Sequence, residues 1–165
     1  MNECIAFNYL TQKGLRDFQA AGVVGNLVQE SGLNPRAAGD GGISHGIAQW
    51  NGPRWQALNA LAQSTGRDPW SLDLQLDYLW RELPAYGLAE LRATTSVEDA
   101  TVVFQNRFEK CGDCRTPARI ASARAALNTC QAVAVPEEPS SAGGFLVFLL
   151  AASVASYAAL RVNRR

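Results

Sequence analysis

The residues best suited to chemistry lie between positions 22 and 50, GVVGNLVQESGLNPRAAGDGGISHGIAQW. One acid, Glu30, falls at the C-terminal edge of a helical pattern. Asn34-Pro35 then turns the chain back, since proline cannot extend the helix and biases Asn34 away from helical angles. A carboxyl group held where a packed helix meets a loop-walled cleft has its hydration restricted on one side, which suits it to donate a proton. Gly39, Gly41, Gly42 and Gly46 give the next loop room to lie against an extended ligand. Asn26, one turn before Glu30 on the same face, is placed to hydrogen-bond the acid, a ligand or nearby backbone. Gln49 supplies an amide that donates and accepts, and Trp50 an indole face for stacking; Asn51 and His45 are weaker candidates for the same wall.

In cleavage of a glycosidic bond, such an acid protonates the leaving oxygen, and the distance to a second carboxylate decides whether configuration is inverted or retained. Asp40, in the glycine-rich loop, is the candidate second acid, although its commoner role in such a loop is to form a turn. Glu82 and Glu109 fall on helical segments and read as ion pairs or surface groups, with Glu109–Arg119 or Glu109–Arg124 as the expected bridge. A Ser–His–Asp site would need His45, the only histidine, with Ser31 or Ser44, and no nucleophile-elbow sequence accompanies them. There is no Walker or dinucleotide signature, and no cofactor or metal is expected. Fifteen basic and fifteen acidic side chains cancel, so no global charge draws the chain to nucleic acid.

Helical patterns position these residues. They run over 3–13, with Ile5, Tyr9 and Leu10 apolar, and over 16–31, where Phe18, Ala21, Gly25 and Val28 share a face that Ala20, Val24 and Leu27 broaden. Interior glycines cost about 1 kcal/mol each relative to alanine. Gly22 and Gly25 therefore predict a crowded central helix approached closely by a neighbour. Further helices follow from Asn51-Gly52-Pro53 to Gly66 and over about 71–83, where Leu72, Leu76, Leu79 and Leu83 keep a four-three-four spacing. Others are expected over 86–93, from Ser96 through Val97, Thr101, Phe104 and Phe108, and from Thr116-Pro117 to Cys130. No run alternates with period two, so the fold class reads as all-α.

Four cysteines, Cys4, Cys111, Cys114 and Cys130, allow three complete pairings, which sequence leaves open. Structural disulfides are the favoured reading. The alternatives are free thiols, or zinc with Cys4 and Cys130 completing the tetrahedron begun by Cys111-Gly112-Asp113-Cys114. The chain divides into a domain over 1–132, a linker rich in Pro, Ser and Glu over 133–142, an apolar span over 143–161 and a basic tail over 162–165. Gly143–Leu160 carries no charge. At 1.5 Å per residue, such a helix reaches about 27–30 Å, enough for the hydrocarbon thickness of a bilayer. The expectation is a single-pass membrane protein with its domain opposite the basic C-terminus. Met1–Leu10 lacks the features of a cleavable signal peptide.

The blocks GVVGNLVQESGLNP over 22–35 and GIAQWNG over 46–52, with Arg54 and Leu58 beyond, closely resemble the phage tail lysozyme family. Glu30-Ser31 followed by Gly46-Ile47-Ala48-Gln49 is more distantly similar to the ES…GLMQ pattern of soluble lytic transglycosylases. The likeness continues through Gln75–Leu79, Glu82-Leu83, Phe104, Phe108-Glu109 and Arg119/Arg124, and covers about residues 3–130. It implies a lysozyme-like, mostly helical fold. It also implies cleavage of the β-1,4 bond between N-acetylmuramic acid and N-acetylglucosamine in peptidoglycan. By the same resemblance Glu30 matches the catalytic acid, and Gln49 and Trp50 match the cleft motif. No residue is a secure match for a second carboxylate. Hydrolysis and lytic transglycosylation, the latter leaving 1,6-anhydromuramic ends, both remain open. The apolar span suggests a virion membrane or bacterial envelope, with lipid and other virion or membrane proteins as further partners. The corresponding role is local wall opening as a phage enters its host. The rival reading is an inactive, membrane-anchored wall-binding domain.

Overall fold

The structure, a computed structural model, describes residues 1–110 and 114–134. It is built around α2 (Asp17–Ser31), in which every residue from Gln19 to Leu27 is buried. A helix apolar on all sides must be enclosed by others. Here α1 (Asn2–Gln12), α6 (Val97–Phe104) and α7 (Thr116–Ala134) pack around it. The two interior glycines mark the closest approaches. A Cβ at Gly22 would lie 2.7 Å from Ala100 Cβ, and one at Gly25 would lie 2.6 Å from both the Cβ and the backbone N of Ala123. The local loss of helix propensity is thus exchanged for direct backbone contact with α6 and α7. On α1 the inward face is Ala6, Phe7 and Leu10, whereas Ile5 is largely exposed, contrary to the expected apolar face.

The other wall comprises α3 (Gly52–Thr65), α4 (Leu72–Glu82), a 3₁₀ turn over Leu83–Ala85 and α5 (Leu88–Ala93). The spacing read from α4 holds: Leu76, Leu79 and Leu83 are buried, while Asp73 and Arg81 are exposed. Gln19 ties α2 to the end of α5, its Nε2 donating to the carbonyls of Leu91 and Arg92 at 3.0 Å each.

Two features depart from a purely helical reading. A short antiparallel ribbon joins β1 (Ala38–Gly39) to β2 (Ser44–His45), with Ala38 opposite His45 and Gly39 opposite Ser44. Strands of two residues are too short to show alternation. The helix expected to carry Val97, Thr101, Phe104 and Phe108 together also changes character. Its α-helical part stops at Phe104, and Gln105–Glu109 forms a π turn. Lys110 N–H closes that turn onto the Gln105 carbonyl at 2.9 Å. Widening one turn rotates the residues after it, and Phe108 stacks on Phe104 with centroids 4.7 Å apart.

Of the three cysteine pairings left open, the structure has Cys4 joined to Cys130, which fastens α1 to α7 across 126 residues of sequence. Those two thiols are therefore not ligands of a zinc site. Cys114 is also disulfide-bonded, and Cys111 lies outside the described residues. Helix α7 continues through 133–134, two residues into the stretch read as linker. The rest of that stretch, the apolar span 143–161 and the tail 162–165 lie outside the described residues. Among the described residues no helix is long and apolar enough to cross a membrane.

Candidate active site

Glu30 sits in the last turn of α2, which Gly32 ends in the left-handed region at φ 62°. Its Oε1 accepts a hydrogen bond from Arg119 Nη2 at 2.6 Å, and the two side chains are 19% and 7% exposed. Arg119 reaches Glu30 because three other contacts hold its planar fork. Its Nη1 donates to Asn26 Oδ1 at 3.1 Å and to the Asn26 carbonyl at 3.3 Å, and its Nε donates to the Cys114 carbonyl at 2.6 Å. Asn26 is wholly buried and donates onward to the carbonyls of Gly22 and Thr101 at 2.8 and 3.1 Å. It therefore orients the arginine that holds the acid, and its amide is spent on protein rather than offered to a ligand.

The expected bridges to Glu109 do not form. Arg119 pairs with Glu30, and Arg124, further along α7 and mostly exposed, pairs with Glu98 at 2.6 Å. The π turn leaves Glu109 Oε1 buried and without a hydrogen-bond partner. Burial first, then the negative charge of Glu30 nearby, push the Glu109 carboxyl well above the ordinary glutamate range; Arg119 and Arg54 pull the other way and do not prevail. Sequence reasoning had given this acid a structural ion pair with Arg119 or Arg124 instead. Its only local signal was an acid following an apolar pair of phenylalanines on a helix.

Ser31, next to the acid, donates to the Ile47 carbonyl at 2.9 Å and so brings the 46–50 loop to the end of α2. The same loop is held from behind by Gln75, buried on α4. Gln75 Oε1 accepts from Ile47 N–H at 2.9 Å, and its Nε2 donates to the carbonyls of Pro35 and Pro69 at 2.8 Å each. Gly46, at φ 72°, leaves the space this amide fills: a Cβ there would lie 2.6 Å from Gln75 Oε1. In sequence Gln75 stood out only as the uncharged amide among the leucines and charged residues of α4, at the start of the Gln75–Leu79 block.

The loop residues proposed to contact substrate divide. Gln49 is half-buried in the left-handed region at φ 47°; its Nε2 donates to the Gly46 carbonyl at 3.0 Å and its Oε1 packs on Gly39. Trp50 is corrected outright. It is 0% exposed, its Nε1 donates to Glu82 Oε2 at 2.7 Å, and its ring meets Tyr78 edge-on, so no face is open to a sugar. Glu82 also binds Arg54 through both oxygens, at 2.8 and 2.9 Å, and the Arg54 guanidinium lies over Phe108. This acid is the ion pair that the sequence suggested.

His45 packs against Trp55 and Trp70, with centroids 4.6 and 5.6 Å away, in a half-buried aromatic group. The Ser44 hydroxyl donates to Asp40 at 2.6 Å and the Ser31 hydroxyl to backbone carbonyls, so neither serine is engaged with His45 in a triad. Asp40 is exposed at φ 50° and serves the ribbon turn, rather than forming part of the Glu30–Arg119–Asn26 group. Asn51 is exposed and precedes α3, where its carbonyl accepts from the N–H groups of Arg54 and Trp55.

A depression of about 470 Å³ lies elsewhere, between α5 and α6, lined by Glu90, Thr94, Glu98, Asp99 and Val102 among others. It contains no member of the Glu30 group. Among the described residues no group of three or more His, Cys, Asp or Glu side chains is arranged to hold a metal.

The site is thus a half-buried carboxyl group, locked by one arginine at a helix end and faced by an anchored loop. A comparison with curated proteins gives no match. The family model of phage tail lysozymes matches residues 1–129, and the chain belongs to that family of lysozyme-like, peptidoglycan-degrading glycosidases.

Proposed function

We propose that this protein cleaves the β-1,4 bond between N-acetylmuramic acid and N-acetylglucosamine, with Glu30 as the group that protonates the leaving glycosidic oxygen. The observation that carries this reading is the Glu30–Arg119 pair. It puts a partly accessible carboxyl at the end of the central helix, beside a loop fixed by Ser31 and Gln75. Preorganisation of this kind supplies catalysis by position, since the acid does not have to be found and oriented during the reaction. Gln49 is the loop residue assigned to the substrate N-acetyl group, reached by releasing its bond to the Gly46 carbonyl.

Hydrolysis is the favoured outcome: the C1–O bond breaks, the oxygen takes the Glu30 proton, and water adds at C1 and returns a proton to the carboxylate. The biological reading is virion-associated opening of the wall as a phage enters its host. The sequence of 143–161 supports a membrane tether for this activity.

The test is digestion of purified peptidoglycan by the full-length protein and by Glu30→Gln, with mass analysis of the products. The expected result is soluble muropeptides with reducing muramic ends from the parent and none from the variant, with wall binding retained. Ends in 1,6-anhydromuramic acid would replace hydrolysis by transglycosylation. Undiminished release by the variant would remove Glu30 from its role.

A further inference from the structure

A single peptide unit links the core to the loop that faces the acid. Gln75 on α4 is wholly buried, and all of its bonds go to backbone groups of other segments. Its Nε2 donates to the carbonyls of Pro35, in the turn that follows Glu30, and of Pro69, before α4. Its Oε1 accepts from Ile47 N–H at 2.9 Å. The carbonyl of that same peptide unit belongs to Gly46 and accepts twice from Gln49, from the backbone N–H at 3.2 Å and from Nε2 at 3.0 Å. Two glutamine amides are thus joined through the two poles of one peptide group, an arrangement in which each bond polarises the next. Of the polar side chains that reach as far as glutamine, ionised glutamate lacks donors, and lysine and arginine lack an acceptor. Gly46 admits the Gln75 amide, since a Cβ there would lie 2.6 Å from Oε1. Gln49 itself stands at φ 47°, a conformation that a residue with a side chain keeps only where its surroundings enforce it.

We propose that Gln75 is a positioning residue that orients Gln49 through the Gly46–Ile47 peptide, and so sets the preference of the enzyme for N-acetylated glycan. The proposal rests on the glycosidase reading above, with Gln49 as the partner of the substrate N-acetyl group. Glycine at position 46 would by itself leave this peptide free to rotate. Rotation is opposed because it would leave the buried Oε1 of Gln75 without its donor. The Gly46 carbonyl therefore stays aimed at Gln49 and keeps its amide in one place. On binding, the acetamido oxygen of the sugar replaces that carbonyl as the acceptor from Gln49 Nε2. Gln75 touches no substrate and acts only through the loop. Without it the peptide turns and Gln49 loses both bonds to Gly46, whereas Glu30 remains where Arg119 holds it.

The test uses the full-length protein on soluble glycan strands and on the same strands after de-N-acetylation. The quantity read is the ratio of kcat/KM on the two, in which the folded fraction of a preparation cancels. Gln49→Ala is expected to lower the ratio by about fivefold, the effect of losing one neutral hydrogen bond to substrate. Gln75→Met keeps the length of the side chain and removes the acceptor for Ile47 N–H. It should lower the ratio to the same extent, and the double variant should lower it no further. A purely structural role for Gln75 would slow both substrates alike, so an unchanged ratio in Gln75→Met would overturn the proposal. A double variant in which the two losses multiply would overturn it too, because Gln75 would then act independently of Gln49. Hydrogen exchange on the parent gives a second measurement that needs no variant to fold. Ile47 N–H should exchange slowly, with the buried amides of α2, and exchange as fast as that of the exposed Gly41 would also overturn the link. Activity separates this idea from the one beneath it. A parent that cleaves neither substrate rejects the glycosidase reading itself. An active parent with an unchanged ratio in Gln49→Ala rejects the role of Gln49 and the link with it, and an unchanged ratio in Gln75→Met alone rejects only the positioning by Gln75.

Discussion

Gly25 of α2 lies directly against Ala123 of α7, so closely that a Cβ on the glycine would sit 2.6 Å from the alanine Cβ and backbone N and 2.6 Å from the Arg119 carbonyl oxygen. This contact sets the distance at which Arg119 meets Glu30. Substitution Gly25→Ala should therefore destabilise the domain, because overpacking against backbone costs about 1–3 kcal/mol and exceeds the gain in helix propensity of about 1 kcal/mol. Peptidoglycan release should fall more steeply than stability, since α7 must move and carries Arg119 with it. Thermal melting and an activity assay on the same preparation check both parts; a variant melting at or above the parent temperature would contradict the packing argument.

Glu82 is expected to matter for stability through two partners at once. It accepts from the buried indole of Trp50 and from Arg54, whose side chain is 27% exposed. Removing one member of a buried pair leaves an unmatched charge, at a cost of about 3–5 kcal/mol. Glu82→Leu should shift the urea midpoint accordingly, and Glu82→Leu combined with Arg54→Met should recover part of the loss. A double variant no more stable than Glu82→Leu alone would show that the unmatched arginine is not the cause.

The Cys4–Cys130 bond closes almost the whole described chain, its ends separated by 126 positions in sequence. In the chain-entropy account a loop of this length is worth about 4–5 kcal/mol. The double variant Cys4→Ala, Cys130→Ala should unfold at clearly lower urea concentration while keeping its helical spectrum at low temperature. An unchanged midpoint would mean that the packing of α1 on α2 and α7 suffices without the crosslink.

Glu109 gives a pH signature in stability. Its folded pKa lies above its unfolded value, with burial as the leading cause and Glu30 next. The stabilisation from the neutral buried form is therefore complete below the unfolded glutamate range, near pH 4.3, and is lost as pH rises toward the raised folded value. Glu109→Gln has no proton to lose there. Relative to the parent, the variant should gain stability as pH rises from about 4 through that window, measured as the difference between two urea midpoints. A difference that stays flat across pH would argue that the carboxyl is already ionised in the folded protein.

Much of the scaffold is legible in the chain itself. The leucines of α4, the capping Ser96 before α6 and Pro53 early in α3 are local signals, because helix formation depends on residues three or four apart. The cost of Gly22 and Gly25 was likewise visible locally and correctly implied a close neighbour. So was the position of Glu30 at a helix end, along with the blocks that resemble phage tail lysozymes.

What each side chain faces is a different kind of information. Arg119 lies 89 residues from Glu30, and Trp50 lies 32 from Glu82. Sequence named the acid but gave Glu109 either Arg119 or Arg124 as a partner, and it offered Trp50 to substrate although the indole is wholly buried. Only the packing of α7 against Gly25, together with a π turn that no periodicity announces, decided that Arg119 would hold Glu30 and that Glu109 would be left with a buried, unpartnered oxygen. Backbone pattern is fixed by near neighbours along the chain. Partnership among buried charges is fixed by which distant elements come together and by how few donors are there to share.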